Sequence, residues 1–139
     1  IAPEVARRIL EIEKHLPFKN QIKPGPADAS IFDSDSTIAD DMRRAGVRWI
    51  AADKRPGSRV SGLEKLRGCL ESAKKTPMES PGLFVFDTCR HFIRTIPVLP
   101  RDTKKPDDVD TDAEDHVYDE TRYELMTPVQ IDMIQQSSV

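Results

Sequence analysis

Helical and strand-like patterns alternate along this chain of 139 residues, and the alternation limits its fold more than any other feature. Apolar residues at three- and four-residue spacing predict helices over about 3–16, 37–45, 58–70, 88–96 and 113–126. Extended or continuously apolar segments predict strands over 20–27, 47–51 and 83–86. This order favours an α/β fold in which short, mostly parallel strands are flanked by helices.

The third predicted strand, Leu83-Phe84-Val85-Phe86, is an unbroken apolar run typical of a fully buried strand. Three short strands make a thin sheet, and the chain begins at Ile1 without an initiator Met. We therefore expect an N-terminally truncated fragment whose missing upstream strands would complete the sheet. One domain is predicted over 1–126, followed by a C-terminal tail at 127–139.

The bulk composition excludes several classes of protein. Hydrophobic residues make up 37% and charged residues 32% of the chain, and no apolar run approaches the roughly 20 residues that span a membrane. The start of the chain lacks the pattern of a signal peptide. Cys69 and Cys89 have neither CxxC spacing nor a secretory context, which indicates reduced thiols in or near the core. We expect a cytoplasmic protein that does not bind membranes.

The small net charge of −3 hides two oppositely charged regions. Residues 43–75 hold ten basic and three acidic side chains, whereas 107–120 hold eight acidic side chains and no Lys or Arg. The basic region is suited to binding phosphate. The acidic region could bind a divalent cation or form a solvated loop that leads into a helix.

Several aspartates stand where open α/β sheets place their ligand sites, at the carboxyl ends of strands. Asp28, Asp53 and Asp87 each follow a predicted strand, while Asp115 and Asp119 lie one turn apart at the start of the last predicted helix. Carboxylates are the ligands that Mg²⁺ and Mn²⁺ prefer, and a pair of such ions can promote phosphodiester hydrolysis.

Ordinary structural roles remain open for the same residues. Asp28 could be a turn residue, Asp87 could cap the following helix, and the acidic run could simply complement a helix dipole. Lys54, Arg55 and Arg59 surround a Pro-Gly turn that could contact a phosphate backbone or remain solvated. The sequence contains no GxxxxGK[ST] loop, HExxH motif or Cys/His zinc pattern.

Three stretches resemble the large subunit of tailed-phage terminases. The first is Lys23-Pro24-Gly25-Pro26-Ala27-Asp28-Ala29-Ser30-Ile31-Phe32. The second joins Val47-Arg48-Trp49 to Asp53-Lys54-Arg55-Pro56-Gly57-Ser58-Arg59. The third lies within 82–126 and includes Leu83-Phe84-Val85-Phe86-Asp87-Thr88-Cys89-Arg90 and Asp115-His116-Val117-Tyr118-Asp119. The chain is similar to the C-terminal nuclease domain of that family.

The resemblance implies an RNase H-like nuclease with three acidic positions and two Mg²⁺ or Mn²⁺ ions. The family's first acid lies on a strand that would precede Ile1, the second matches Asp28, and the third matches Asp115, with Asp119 as a neighbouring candidate. The implied activity is metal-dependent cleavage of concatemeric viral DNA during genome packaging. We expect the isolated chain to be nearly inactive, because one acid is missing.

The family also implies where such a protein acts and what it meets. Its expected partners are double-stranded viral DNA, the portal protein and the small terminase subunit, in the cytoplasm of a bacterium that carries a phage or prophage. Lys54, Arg55 and Arg59 are the hypothesised DNA contacts.

Two other functions remain open. The first is a non-catalytic RNase H-like module that docks on the portal or packaging motor, and the second is a resolvase-type nuclease that prefers branched DNA. Convergence of the Asp28 and Asp115 carboxylates on a common point would favour catalysis, because shared metal ligation requires it.

Overall fold

The computed structural model describes residues 1–105 and 114–127, and its contacts define two compact units, Ile1–Ala52 and Asp53–Met126. The described residues form an α/β structure with five α-helices and one pair of strands. The helices are α1 (Ala2–Glu13), α2 (Ile38–Arg44), α3 (Ser58–Ala73), α4 (Arg90–Thr95) and α5 (His116–Met126). The strands are β1 (Gly25–Ala27) and β2 (Trp49–Ala51). Short 3₁₀ helices cover Lys19–Gln21, Ala29–Phe32 and Ile96–Val98.

In the first unit, β1 and β2 pair in parallel, as the alternating pattern predicts. Gly25 is opposite Trp49, and Ala27 is opposite Ala51. A Cβ on Gly25 would lie 3.6 Å from the Trp49 ring, an ordinary van der Waals distance, so the indole packs beside the start of β1. The pair ends at Ala27, which places Asp28 directly at the carboxyl end of β1.

The core of this unit lies between α1 and α2. Ala6, Met42 and Val47 are buried together, and Ile9 and Leu10 pack against them. The larger apolar residues at helical spacing along this part of the chain are Val5, Ile9, Ile12 and Leu16, but Val5 and Ile12 are exposed. The packed face is instead the one that carries Ala6, because its small side chain allows the two helices to approach closely.

The second unit is built on contact between α3 and α5. Leu63 and Leu66 from α3 are buried with Tyr118 from α5, which confirms the predicted apolar face of α3. Gly57 precedes α3 with a φ of 85°, a left-handed conformation that side-chain-bearing residues rarely adopt. Gly57 is the residue that precedes the helix, and Ser58 is the first residue of α3.

The prediction of a third, buried strand over 83–86 is wrong. Among the described residues no strand pairs with this segment, and the side chains of Phe84 and Phe86 are 72% and 77% exposed. Asp87 consequently does not end a strand. It does not cap α4 either, because the residue before that helix is Cys89.

The prediction for the cysteines also changes in the second unit. Cys89 is exposed and does not lie in the core, while Cys69 is partly buried and both thiols are free. Ile93, an apolar residue of α4, is half exposed. The predicted start of the last helix at 113 and all but the first residue of the predicted tail at 127–139 fall outside the described residues.

Candidate carboxylate site

Asp28 has a clear local role. Its side chain caps the 3₁₀ helix Ala29–Phe32, since Oδ1 accepts a hydrogen bond of 2.9 Å from the backbone N–H of Ser30. The turn role predicted for Asp28 is therefore present, and so is the predicted position at a strand end.

Asp115 and Asp119 lie around a single cation, the guanidinium of Arg59. Arg59 Nη1 donates to Asp119 Oδ1 at 3.0 Å, and Nη2 lies 3.4 Å from Asp115 Oδ2. The two acids are neighbours because the first turn of α5 stacks them, with the N–H of Asp119 bonded to the carbonyl of Asp115 at 2.9 Å. Their side chains are only 13% and 24% exposed, so this pairing is partly shielded from water.

A second arginine holds Asp119 from the interior. Arg122 is 3% exposed and donates from Nη2 to Asp119 Oδ1 at 3.1 Å and from Nη1 to Ser58 Oγ at 2.9 Å. Its Nε has no hydrogen-bond partner among the described residues. Burying a guanidinium is costly unless it is paired, so Asp119 has a structural role as the counter-ion of Arg122.

Tyr118 fixes the position of Arg59. The Tyr118 hydroxyl donates a hydrogen bond to the backbone carbonyl of Arg59, and the Arg59 guanidinium lies 5.7 Å from the centre of the Tyr118 ring. Because Tyr118 is almost completely buried, this contact anchors the start of α3 to the start of α5. The cation between the two carboxylates is thus held by main chain and side chain together.

The turn between β2 and α3 holds another ion pair. Asp53 accepts two hydrogen bonds from the Arg55 side chain, at 3.0 and 2.7 Å, and one from the Arg55 backbone N–H at 3.0 Å. These hydrogen bonds, with a smaller electrostatic contribution from Arg122, lower the pKa of Asp53 from 3.8 to about 2. Asp53 is therefore ionised at any physiological pH, and its charge is committed to the turn.

The three predicted DNA contacts differ in their surroundings. The Arg55 side chain is 84% exposed even though it pairs with Asp53, so a phosphate could still reach it. Arg59 is mostly buried against Asp115 and Asp119, so contact with a phosphate would require that ion pair to open. Lys54 lies in the same turn. Binding of DNA by these residues stays a prediction.

The predicted metal ligands belong to different units of the chain. Asp115 and Asp119 converge in the second unit, and Asp28 lies in the first, with each placed within its own unit. Within residues 1–105 and 114–127, no group of three or more His, Cys, Asp or Glu side chains is arranged to hold a metal ion. As oxygen donors around a cation, Asp115 and Asp119 fit the chemistry of Mg²⁺ or Mn²⁺, but they supply only part of a ligand set.

Sequence reasoning missed the buried contribution of Arg122 and Ser58. One signal was present: Arg122 lies three residues after Asp119 and seven after Asp115, so all three share a helix face. Another was Gly62, an interior helix position where glycine is costly unless another chain approaches closely. A Cβ on Gly62 would lie 2.4 Å from Arg122 Cγ, which shows that the approach is real.

Comparisons with models of protein families, with curated proteins and with solved structures find no match to this chain. In the part of the chain that the structure describes, no helix has both the length and the apolar character needed to cross a membrane.

Proposed function

We propose that this chain is part of a metal-dependent DNA endonuclease, the nuclease domain of a tailed-phage terminase large subunit with an RNase H-like fold. The observation that carries the proposal is the convergence of Asp115 and Asp119 on one cation at the start of α5. The position of Asp28 at the carboxyl end of a parallel strand supports it. Viral DNA is the proposed substrate, with the portal protein and small subunit as partners.

Asp115 is the better candidate than Asp119 for the third metal-binding acid. Asp119 shares one oxygen between two guanidinium groups, and one of these is the buried Arg122. Asp115 contacts Arg59 at the longer distance of 3.4 Å. Opening the Arg59 contact would free Asp115 while Asp119 stayed paired with Arg122. We therefore assign Asp115 to ligation and Asp119 to positioning.

In this proposal the metal ions would supply an activated water and stabilise the leaving oxygen of the phosphodiester. Asp28 and Asp115 would hold them as carboxylate ligands. Arg59 would keep Asp115 oriented in their absence. The exposed guanidinium of Arg55 would hold the DNA backbone, a contact that carries no sequence information.

Measurement of Mn²⁺ binding by isothermal titration calorimetry tests the ligand assignment directly. We expect the wild-type chain to bind Mn²⁺ and Asp115→Asn to lose most of that affinity. Glu71→Gln serves as the matched control, because Glu71 is an exposed acid on α3 that pairs only with a neighbouring lysine in the described structure. Equal binding by wild type and Asp115→Asn would refute the assignment.

Cleavage tests the activity itself. The family places its first acid upstream of the matched region, so nicking of plasmid DNA with Mn²⁺ is best measured on a polypeptide extended to include that acid. Asp28→Asn and Asp115→Asn should each abolish nicking while circular dichroism shows a folded protein. Full activity in both variants would refute the nuclease proposal.

One observation favours the second function, a non-catalytic module that docks on the packaging motor. The ion pairs of Asp115 and Asp119 with Arg59 and Arg122 satisfy both acids without any metal. If these acids serve only the fold, Asp115→Asn should lower the unfolding midpoint, and neither the wild type nor the variant should bind Mn²⁺. Mn²⁺ binding lost at unchanged stability would favour the nuclease.

A further inference from the structure

The second unit contains an open apolar groove that the carboxylate site does not use. Its volume is about 500 Å³, and it lies between two walls. One wall is formed by residues 83–86 and the start of α4. The other is the face of α5 that carries Val117, Thr121 and Leu125. The described part of the chain leaves the two large side chains at its edge, Phe84 and Phe86, facing solvent.

The segment 83–86 beside this groove has the side-chain alternation of a β-strand but pairs with no strand among the described residues. Leu83 and Val85 are partly buried while Phe84 and Phe86 are exposed, the two-residue alternation of a β-strand. The N–H of Leu83 donates to the carbonyl of Cys69, and the carbonyl of Phe86 accepts from Cys89. Between them, no hydrogen bond to the backbone of Phe84 or Val85 is present among the described residues. An apolar, unpaired edge of this kind is a template for another strand.

The charges at the groove are complementary to each other across its two walls. Glu120 and Glu124 are exposed one turn apart on α5, and Arg90 lies on the opposite wall at the start of α4. None of the three forms an ion pair within residues 1–105 and 114–127. In a dimer of the chain related by a two-fold axis, a contact of Arg90 with Glu120 and Glu124 of the other copy would be made twice.

We propose that this groove face, defined by Phe84, Phe86, Arg90, Glu120 and Glu124, is the interface of a symmetric dimer of the chain. Antiparallel pairing of residues 83–86 with their copy would satisfy the free backbone groups at the edge. The exposed phenylalanine rings would be buried across the axis, and the charged rims would pair. The proposal does not depend on nuclease activity.

Sedimentation velocity over a range of concentrations tests the proposal on the whole chain. We expect a monomer–dimer equilibrium for the wild type and a monomer for the double variant Phe84→Ser/Phe86→Ser. Both rings are exposed, so their replacement should leave the circular dichroism spectrum of the monomer unchanged. A wild type that stays monomeric at every concentration would overturn the proposal, as would a dimer that survives both substitutions.

Charge reversal distinguishes this face from any other. Arg90→Glu alone should give a monomer, and so should Glu120→Lys/Glu124→Lys, because each places like charges opposite one another. An equimolar mixture of these two proteins should recover the dimer, since one charge contact is then restored with reversed sign and the other is the wild-type pair. The matched control is Lys65→Glu, which makes the same change in net charge as Arg90→Glu, but on the exposed surface of α3, and should still dimerise. A mixture that stays monomeric would refute the two-fold arrangement.

Discussion

Arg122 is a deeply buried guanidinium, and the free energy of folding therefore depends on the groups that pair with it. Its ion pair with Asp119 and its hydrogen bond to Ser58 compensate for removal from water, while its Nε remains without a partner in the described structure. Such a residue costs little while its partners are present and much when one of them is removed.

Removing the charge of Arg122 should therefore destabilise the second unit. Arg122→Met keeps much of the side-chain volume but leaves Ser58 and one lone pair of Asp119 without their donor. We expect a loss of about 2 kcal/mol, below the usual cost of breaking a buried pair, because Asp119 keeps Arg59 and some contact with water. The measurement is urea unfolding.

Arg94→Met provides the control for this loss. Arg94 pairs with Glu114 through two hydrogen bonds of 3.0 and 2.6 Å, but both side chains are more than half exposed. Exposed pairs contribute little to stability. An equal loss for the two variants would show that burial of Arg122 is not what matters.

The Asp53–Arg55 pair predicts a dependence of stability on pH. Hydrogen bonding from Arg55 lowers the pKa of Asp53 to about 2 from its ordinary 3.8 in the folded chain. A depressed folded pKa gives stabilisation that is complete above the ordinary value and is lost as the pH falls from about 4 towards 2. Asp53→Asn should flatten the fall of the unfolding midpoint in that window.

Titration of the carboxyl carbons by NMR checks the cause. Arg55→Gln should raise the pKa of Asp53 towards 3.8, because the charged hydrogen bonds are gone. Arg43→Gln, which removes an exposed partner of Asp40, should leave the Asp53 titration unchanged. A pKa of Asp53 that stays near 2 in Arg55→Gln would contradict the proposed cause.

At the scale of elements, the contact between α3 and α5 depends on one glycine. Gly62 of α3 lies against Arg122 of α5, where an added Cβ would come within 2.4 Å of Cγ and 2.9 Å of Cδ. The neighbouring atoms belong to the fixed stem of a buried, ion-paired side chain. The helices must separate if a larger residue is placed there.

Gly62→Ala should therefore destabilise the chain by about 1–3 kcal/mol, the usual cost of overpacking. Gly68→Ala in the same helix meets no atom within 4 Å and should stabilise by about 0.5–1 kcal/mol through helix propensity. Chemical unfolding of the two variants provides the comparison. Equal stabilisation by both would show that α3 and α5 do not pack as described.

The elements also show what the sequence could and could not predict. The order of helices and the parallel strand pair followed from local spacing, because amphipathic faces and turn residues act over a few positions. Residues 83–86 have the composition of a buried strand, but a strand forms only beside another strand. The composition of a segment does not show whether such a neighbour is present. In α1, the spacing of the bulkier apolar residues did not identify the buried face, because that face is centred on the small residue Ala6.

At the scale of the whole molecule, each compact unit has its own apolar core. The cluster around Met42 lies within 1–52, and the cluster around Leu66 lies within 53–126. The single tryptophan, Trp49, packs on the first of these clusters, and its indole N–H lies 3.2 Å from the Met42 sulfur. Tryptophan fluorescence therefore reports on the first unit.

A cavity in the second core should lower the stability of the second unit. Leu66 is 3% exposed, so Leu66→Ala should cost about 2–4 kcal/mol. We expect the amide NMR signals of 53–126 to disappear at lower urea concentration, with a smaller shift in the Trp49 fluorescence transition. Met42→Ala is the matched variant and should show the reverse order. Identical shifts of both signals in both variants would contradict separate cores.

The candidate site illustrates the same limit at this scale. Aspartates after strands and before helices could be identified from the sequence, and Asp28, Asp115 and Asp119 stand where those patterns placed them. The ion pairs of Asp115 and Asp119 with Arg59 join residues 56 and 60 positions apart, so no local pattern could predict them. Because its partners are so distant in sequence, Arg59 was predicted only to contact DNA or to remain solvated.

The exposure of Cys89 has a consequence for the chemistry of the native chain. Its thiol lies on the wall of the apolar groove and is open to solvent, whereas Cys69 is partly covered within α3. A maleimide or disulfide reagent therefore meets two thiols of unequal access, and alkylation at Cys89 comes first. A dye attached there would report directly on whatever enters the groove.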